Sequence, residues 1–169
     1  MLTIKTYKMK NILVLLVTVI FTMMSCTPAE KPLTADEKSG IESTISNLLD
    51  TIVKESLALD YDRVLSHVQL DDNLSFVIDG EIIIGGEKYK SLVEGIEGSV
   101  KGYTNYELPE RYILVLDRNF AMVIVKFDES FITATDDTIR SMGVSNMLFK
   151  LVDGSWKAVH SSSMHKSEE

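Results

Sequence analysis

From Arg111 to Met164 the chain reads as four candidate strands separated by turns too short for anything but antiparallel neighbours. The runs are Arg111 to Asp117, Phe120 to Phe131, Thr138 to Val152 and Ser155 to Met164. Asp117-Arg118-Asn119, Asp136-Asp137 and Asp153-Gly154 supply the turns, with side chains that hydrogen-bond locally and tolerate left-handed backbone. The runs from 111 and 120 are apolar on both faces. Such a sheet needs cover on both sides, from helices on one and from a cavity or a partner on the other.

The helices come first in the chain. Thr34, followed three residues later by Glu37, forms a capping box. Ile41, Ile45, Leu48, Leu49, Ile52, Val53 and Leu59 then recur at helical spacing, predicting a long amphipathic helix over 35–58. Asp60 caps a second, short helix with Tyr61, Val64, Leu65 and Val68 on one face. Leu74 to Ile78 reads as a strand, Asp79-Gly80 as a two-residue hairpin turn and Glu81 to Ile84 as the returning strand. After Gly85-Gly86, the spacing of Tyr89, Leu92, Val93 and Ile96 predicts a third helix over 87–98. No repeat or Gly/Ser linker interrupts residues 34–165, which are expected to form one α+β domain followed by a short tail, 166–169.

The N-terminal segment has a different character. Lys8 and Lys10 precede an apolar run of about 13 residues, from Ile12 to Met24, and then Ser25 and Cys26. A positive region, a short apolar region and a small residue before the cut site make a signal peptide over 1–25. A spanning helix needs about 20 apolar residues, more than are present. Residues 26–33, with Pro28 and Pro32, read as a tether. Removing the first 26 residues leaves 14 basic against 25 acidic residues, a formal charge of about −11. That charge repels phosphate backbones, so nucleic acid is not an expected partner. Cys26 is the single cysteine, so no internal disulfide or cysteine-based metal site can form.

Met23-Met24-Ser25-Cys26 resembles a bacterial lipobox, with Met where that pattern prefers Leu. The resemblance implies lipidation of Cys26, a membrane anchor, and a place in the envelope of a Gram-negative bacterium. Thr27 after the cysteine favours the outer membrane in that class. Met9-Lys10-Asn11 looks like a commoner start for such signals than Met1.

The domain resembles the SnoaL-like (polyketide-cyclase-like) branch of the nuclear transport factor 2-like superfamily. Three stretches carry the likeness. They are Asp60 to His67 leading to Asp71-Asp72-Asn73-Leu74-Ser75-Phe76; Ile78-Asp79-Gly80 with Ile84-Gly85-Gly86; and Gly143 to Lys150 with Asp153-Gly154-Ser155-Trp156-Lys157-Ala158-Val159-His160. The resemblance implies a cystatin-like cone, in which a strongly curved, mostly antiparallel sheet wraps a long N-terminal helix with two shorter helices beside it. It also implies an interior pocket and dimers formed through the outer face of the sheet. Such a fold hosts isomerases, cyclases, dehydratases and plain binding modules, so function must be argued from the site.

Regular alternation after Ser155 would put Trp156, Ala158, His160, Ser162 and Met164 on one face. His160, Ser162 and Trp156 are therefore the expected pocket residues, with His160 able to orient a ligand or exchange a proton. The plainer reading of His160 is a strand-end residue satisfied by hydrogen bonds. Tyr61 and Asp62 are the expected helpers if the domain is catalytic, although Asp60 and Asp62 also suit a helix cap and its first turn. His67 ends that helix and complements its dipole. Lys126 and Asp128 interrupt an apolar run, which a bulge or an exposed edge accounts for. His165 lies near the tail, three scattered histidines lack zinc spacing, and Gly85-Gly86 lacks the rest of a phosphate loop. No metal or cofactor is expected. The leading expectation is a lipid-anchored, non-enzymatic module holding a small apolar ligand or a protein partner. The alternatives are an isomerase, cyclase or dehydratase using His160, and a structural protein that dimerises.

Overall fold

The computed structural model describes residues 31–166. The signal peptide expected over 1–25, Cys26 with its anchor, most of the tether and the last three residues lie outside the described residues. Leu33 begins the compact unit that contains every element described below.

Helix α1 spans Ala35–Leu57 and starts at the capping box. The Glu37 amide donates to Thr34 Oγ1 (3.2 Å), and the Thr34 amide donates to Glu37 Oε2 (2.8 Å). Arg118, in the turn after the third strand, reaches the same Glu37 carboxylate. Ile45 and Leu49 are fully buried against Ala121, Val123, Val125, Phe149 and Ala158. Each such buried aliphatic side chain contributes roughly 1.5–3 kcal/mol. Leu59 takes φ +55° and turns the chain into α2, Tyr61–Ser66, whose N-cap is Asp60.

Strands β1 (Ser75–Ile78) and β2 (Glu81–Ile84) form the expected hairpin. Asp79 and Gly80 both adopt positive φ, +50° and +90°, the geometry that suits a two-residue turn between twisted strands. Gly85, at φ +95°, leads into α3, Gly86–Ser99. Four long strands follow: β3 Val100–Val115, β4 Phe120–Thr133, β5 Thr138–Val152 and β6 Ser155–His165. The sheet order is β2-β1-β6-β5-β4-β3, antiparallel except for the parallel β1–β6 pair. A six-stranded curved mixed sheet and a long N-terminal helix are the α+β architecture expected from the sequence.

Two features depart from the sequence reading. Strand β3 begins at Val100, directly after α3, and not at Arg111. Its first part is polar and contains Gly102 and Pro109. Register shifts fall between Val100 and Gly102, Tyr103 and Asn105, and Glu107 and Glu110. Each extra residue breaks the period-2 pattern that marks a strand, and the last shift accommodates Pro109, which has no amide to donate. The second departure is in β6. Phe149 pairs with Ala158 but Leu148 pairs with His160, so Val159 is an extra residue. Alternation inverts at that bulge. Trp156 and Ala158 face the core, whereas His160 and Ser162 face outward, so the five residues expected on one face are split between two.

Gly143 lies between Phe127 and His165 in the sheet, and their rings meet edge to face at 5.3 Å. A Cβ at Gly143 would sit 2.6 Å from Phe127 Cζ and 2.1 Å from the Met164 carbonyl oxygen. Gly143→Ala is therefore expected to destabilise the fold by roughly 1–3 kcal/mol. Gly95→Ala, in a helix with open space around it, is expected to stabilise by about 0.5–1 kcal/mol. Urea unfolding of the two variants checks the contrast, and equal effects would refute it.

Candidate functional site

The inner face of β4 carries Ala121, Val123, Val125 and Phe127, all buried. The next residue in that row is Glu129. It lies where the sheet curves away from α1 and opens a cavity of about 420 Å³ between α1, α3 and the sheet. Leu49, Ile52, Val53, Leu92, Val125 and Met147 supply apolar walls. The polar groups are few: Glu129, Tyr89, Tyr106, Ser145, Ser163 and His165. A recess between α3 and the sheet, lined by Tyr103, Val100 and Phe131, shares Leu92, Ile96 and Glu129 with this cavity. Glu129 thus borders both spaces.

Strand bulging brings the aromatic residues together. The shift between Tyr103 and Asn105 places Tyr106 opposite Glu129 and Tyr103 opposite Phe131. Tyr103 and Tyr106 stack at 5.8 Å, and Phe131 meets Tyr103 edge-on at 5.9 Å. Tyr89 stacks on Phe76 at 4.0 Å, and burial pushes its hydroxyl up to about 12. Burial also raises Tyr103 and Tyr106, with smaller contributions from the Glu129 carboxylate. Glu129 itself is raised above the usual carboxylate range by burial, partly offset by His165 and by Ser141. The Tyr61 hydroxyl is buried, and its polar neighbour is the Tyr103 hydroxyl, whose interaction partly offsets the rise that burial causes at Tyr61.

At one edge of the cavity, Asp79 ties the hairpin tip to the end of β6. Its carboxylate accepts from the His165 amide (2.9 Å) and pairs with His165 Nδ1 (2.6 Å). Those bonds hold Asp79 below its ordinary carboxylate range. Ser163 Oγ donates to Ser145 Oγ (2.9 Å), and Ser145 lies 3.3 Å from Ser161 Oγ, so the hydroxyls on this part of the sheet satisfy one another.

The residues singled out from the sequence lie elsewhere and apart from each other. His160 sits in a groove on the outer face with Phe120, Leu148 and Lys150, and its Nδ1 is 2.7 Å from Ser75 Oγ. Ser162 lines a second outer groove with Val144, Asn146 and Met164. Trp156 packs against the core around Phe149. Tyr61 is buried with Leu65 and Val93, and Asp62 is exposed in the first turn of α2. Asp60 caps that helix and pairs with Arg63, and His67 Nε2 lies 2.8 Å from Glu55. Lys126 and Asp128 face outward from a central strand and not from an edge. They pair with Glu110 and Arg140, and the bulge is in β3 opposite them. Among the described residues no group of three or more His, Cys, Asp or Glu is placed to hold a metal ion. Glu129 was discoverable from the sequence as the one acid that continues the inward row from Ala121 to Phe127.

No protein-family model and no curated protein matches the sequence. Solved structures do match in fold. A protein of Novosphingobium aromaticivorans, provisionally assigned as a scytalone dehydratase, superposes with a TM-score of 0.72 at 13% identity, covering 79% of this chain and 89% of its own. A nuclear transport factor 2-like protein of unknown function from Shewanella oneidensis gives 0.60 at 19% identity, covering 73% and 98%. A ketosteroid isomerase-like protein from Erwinia carotovora gives 0.62 at 15% identity, covering 75% and 96%. The chain has the nuclear transport factor 2-like fold. Identities this low carry the fold alone.

Folding disfavours the charged form of Glu129. Its folded pKa lies above the unfolded value of 4.5, so its contribution to stability is fully present below that value and is lost as pH rises through the folded pKa. Glu129→Gln is thus expected to gain stability relative to the parent as pH rises from 4 to 8. Denaturant unfolding at both ends measures the gap, and a gap that stays constant or narrows contradicts the assignment.

Proposed function

We propose that this chain is a lipid-anchored envelope protein whose cone binds a small, largely apolar molecule bearing one polar group. The observation that carries the reading is Glu129, set with Tyr106 in a largely apolar cavity of about 420 Å³. A few convergent polar groups in a concave apolar site are what small-ligand binding requires. A cavity of that size argues against the purely structural alternative, in which the interior would be filled.

A second reading is favoured by the environment of Glu129. A carboxyl whose pKa is raised by burial, beside tyrosine hydroxyls, is suited to exchanging a proton with a bound molecule. Two of the fold neighbours are named for a dehydratase and an isomerase. If the domain is catalytic, Glu129 replaces His160 as the acid–base candidate, with Tyr106 and Tyr103 in place of Tyr61 and Asp62.

The outer face of the sheet exposes Ile82, Tyr112, Leu114, Leu116, Val144 and Met164. Exposed apolar residues spread over this face support a homodimer formed sheet to sheet. For the anchor, the support is the Lys8-to-Cys26 pattern. Among the described residues, no helix is long and apolar enough to cross a membrane.

Two measurements test the proposal. Native mass spectrometry of the chain from Thr27 onward is expected to give a dimer with a retained or addable small molecule. Leu92→Trp, which fills the cavity from α3, is expected to abolish that adduct and leave the dimer intact. An adduct that survives the substitution would place the ligand elsewhere. Cys26→Ser is expected to move the full chain from the detergent phase to the aqueous phase in Triton X-114 partitioning, and unchanged partitioning would remove the anchor.

A further inference from the structure

Strand β4 carries two adjacent acids with opposite surroundings. Asp128 faces out, and its carboxylate is held by Arg140 at 2.6 Å. Glu129 faces in, and among the described residues no lysine or arginine nitrogen forms an ion pair with it. The ionisable groups around it are Tyr61, Tyr103, Tyr106 and His165. Glu97 of α3 adds a further negative charge near Tyr61. His165 is already engaged by Asp79. Where cavity and recess adjoin, Glu129 therefore presents a carboxylate that no lysine or arginine among the described residues pairs with, with the ring of Tyr106 on the cavity side and those of Tyr103 and Phe131 on the recess side. Aromatic faces attract cations, and a desolvated carboxylate attracts them more strongly still.

Building on the cavity-binding reading above, we propose that its ligand is an apolar amine: the ammonium sits against Glu129 among Tyr103, Tyr106 and Phe131, and the hydrocarbon part fills the space lined by Leu49, Leu92 and Met147. A neutral ligand would leave the ionised carboxylate only the Ser141 hydroxyl and the imidazole of His165, itself held by Asp79, and an anionic one would add to its charge. The excess of acidic residues on the mature chain also draws cations toward the molecule.

The test uses two probes of nearly equal shape, 2-(1-naphthyl)ethylamine and 2-(1-naphthyl)ethanol. Each is titrated into the full chain held in zwitterionic nanodiscs, with empty nanodiscs subtracted. At pH 8 the amine is expected to bind at least tenfold more tightly than the alcohol. Glu129→Gln is expected to erase that preference by weakening amine binding at least tenfold relative to the alcohol. Lowering the pH of the parent chain to 4.5 is expected to shrink the preference, which keeps the test decisive if the variant misfolds. Alcohol binding equal to or tighter than the amine at pH 8 overturns the amine assignment and leaves the apolar-cavity reading standing. So does a preference that survives both the substitution and the low pH. Binding of neither probe overturns both.

Discussion

Everything in this molecule depends on how α1 lies across the sheet. Near its middle, Ile45 and Leu49 press onto a surface made small by Ala121, Val123 and Ala158, with Phe149 closing the gaps. There the two layers are in contact, and the cavity opens beside Leu49 and Val125. Further along, Ile52 and Val53 are only half buried, because the sheet has curved away from the helix. The cavity is the volume left by that divergence. The same contact that supplies much of the stability therefore decides where the cavity lies, and the inward row on β4 passes from Phe127 to Glu129 at that cavity.

The irregularities of the strands produce the divergence. Three register shifts in β3 and one in β6 bend the sheet. They also set the contents of the cavity, since Tyr103 and Tyr106 share a face only because an extra residue lies between them. The outer face keeps its charges in pairs, Lys126 with Glu110 and Asp128 with Arg140. Such exposed pairs contribute little stability. They leave the uncompensated acid on the inside.

Local chemistry was legible in the sequence because its causes are local. The Thr34–Glu37 box, the Asp79-Gly80 and Asp153-Gly154 turns and the helical spacing from Ile41 to Val53 each depend on residues within a few positions of each other. The order of elements and the α+β class follow from them. The first half of β3 was illegible because bulges remove the periodicity by which a strand is recognised. The cavity residues differ from those expected on β6 for a related reason. Counting alternate residues from Trp156 through His160 assumes an unbroken ladder, and Val159 breaks it. On β4, where no bulge intervenes, the same counting from Ala121 reaches Glu129 correctly, yet the neighbouring Lys126 and Asp128 drew attention to the wrong side of the strand.

The bulge at Val159 makes chain length, not residue identity, the variable that sets what β6 contributes to the interior. Beyond it, Ser161, Ser163 and His165 point inward and His160, Ser162 and Met164 point outward. A slip of one residue exchanges the two sets completely. A lineage carrying a single in-frame codon deletion here would present a histidine deep in the cone and a serine in its place outside, with no side chain replaced. Aligning relatives of this fold by residue type alone would then score the two sequences as nearly identical while their cavities held different functional groups.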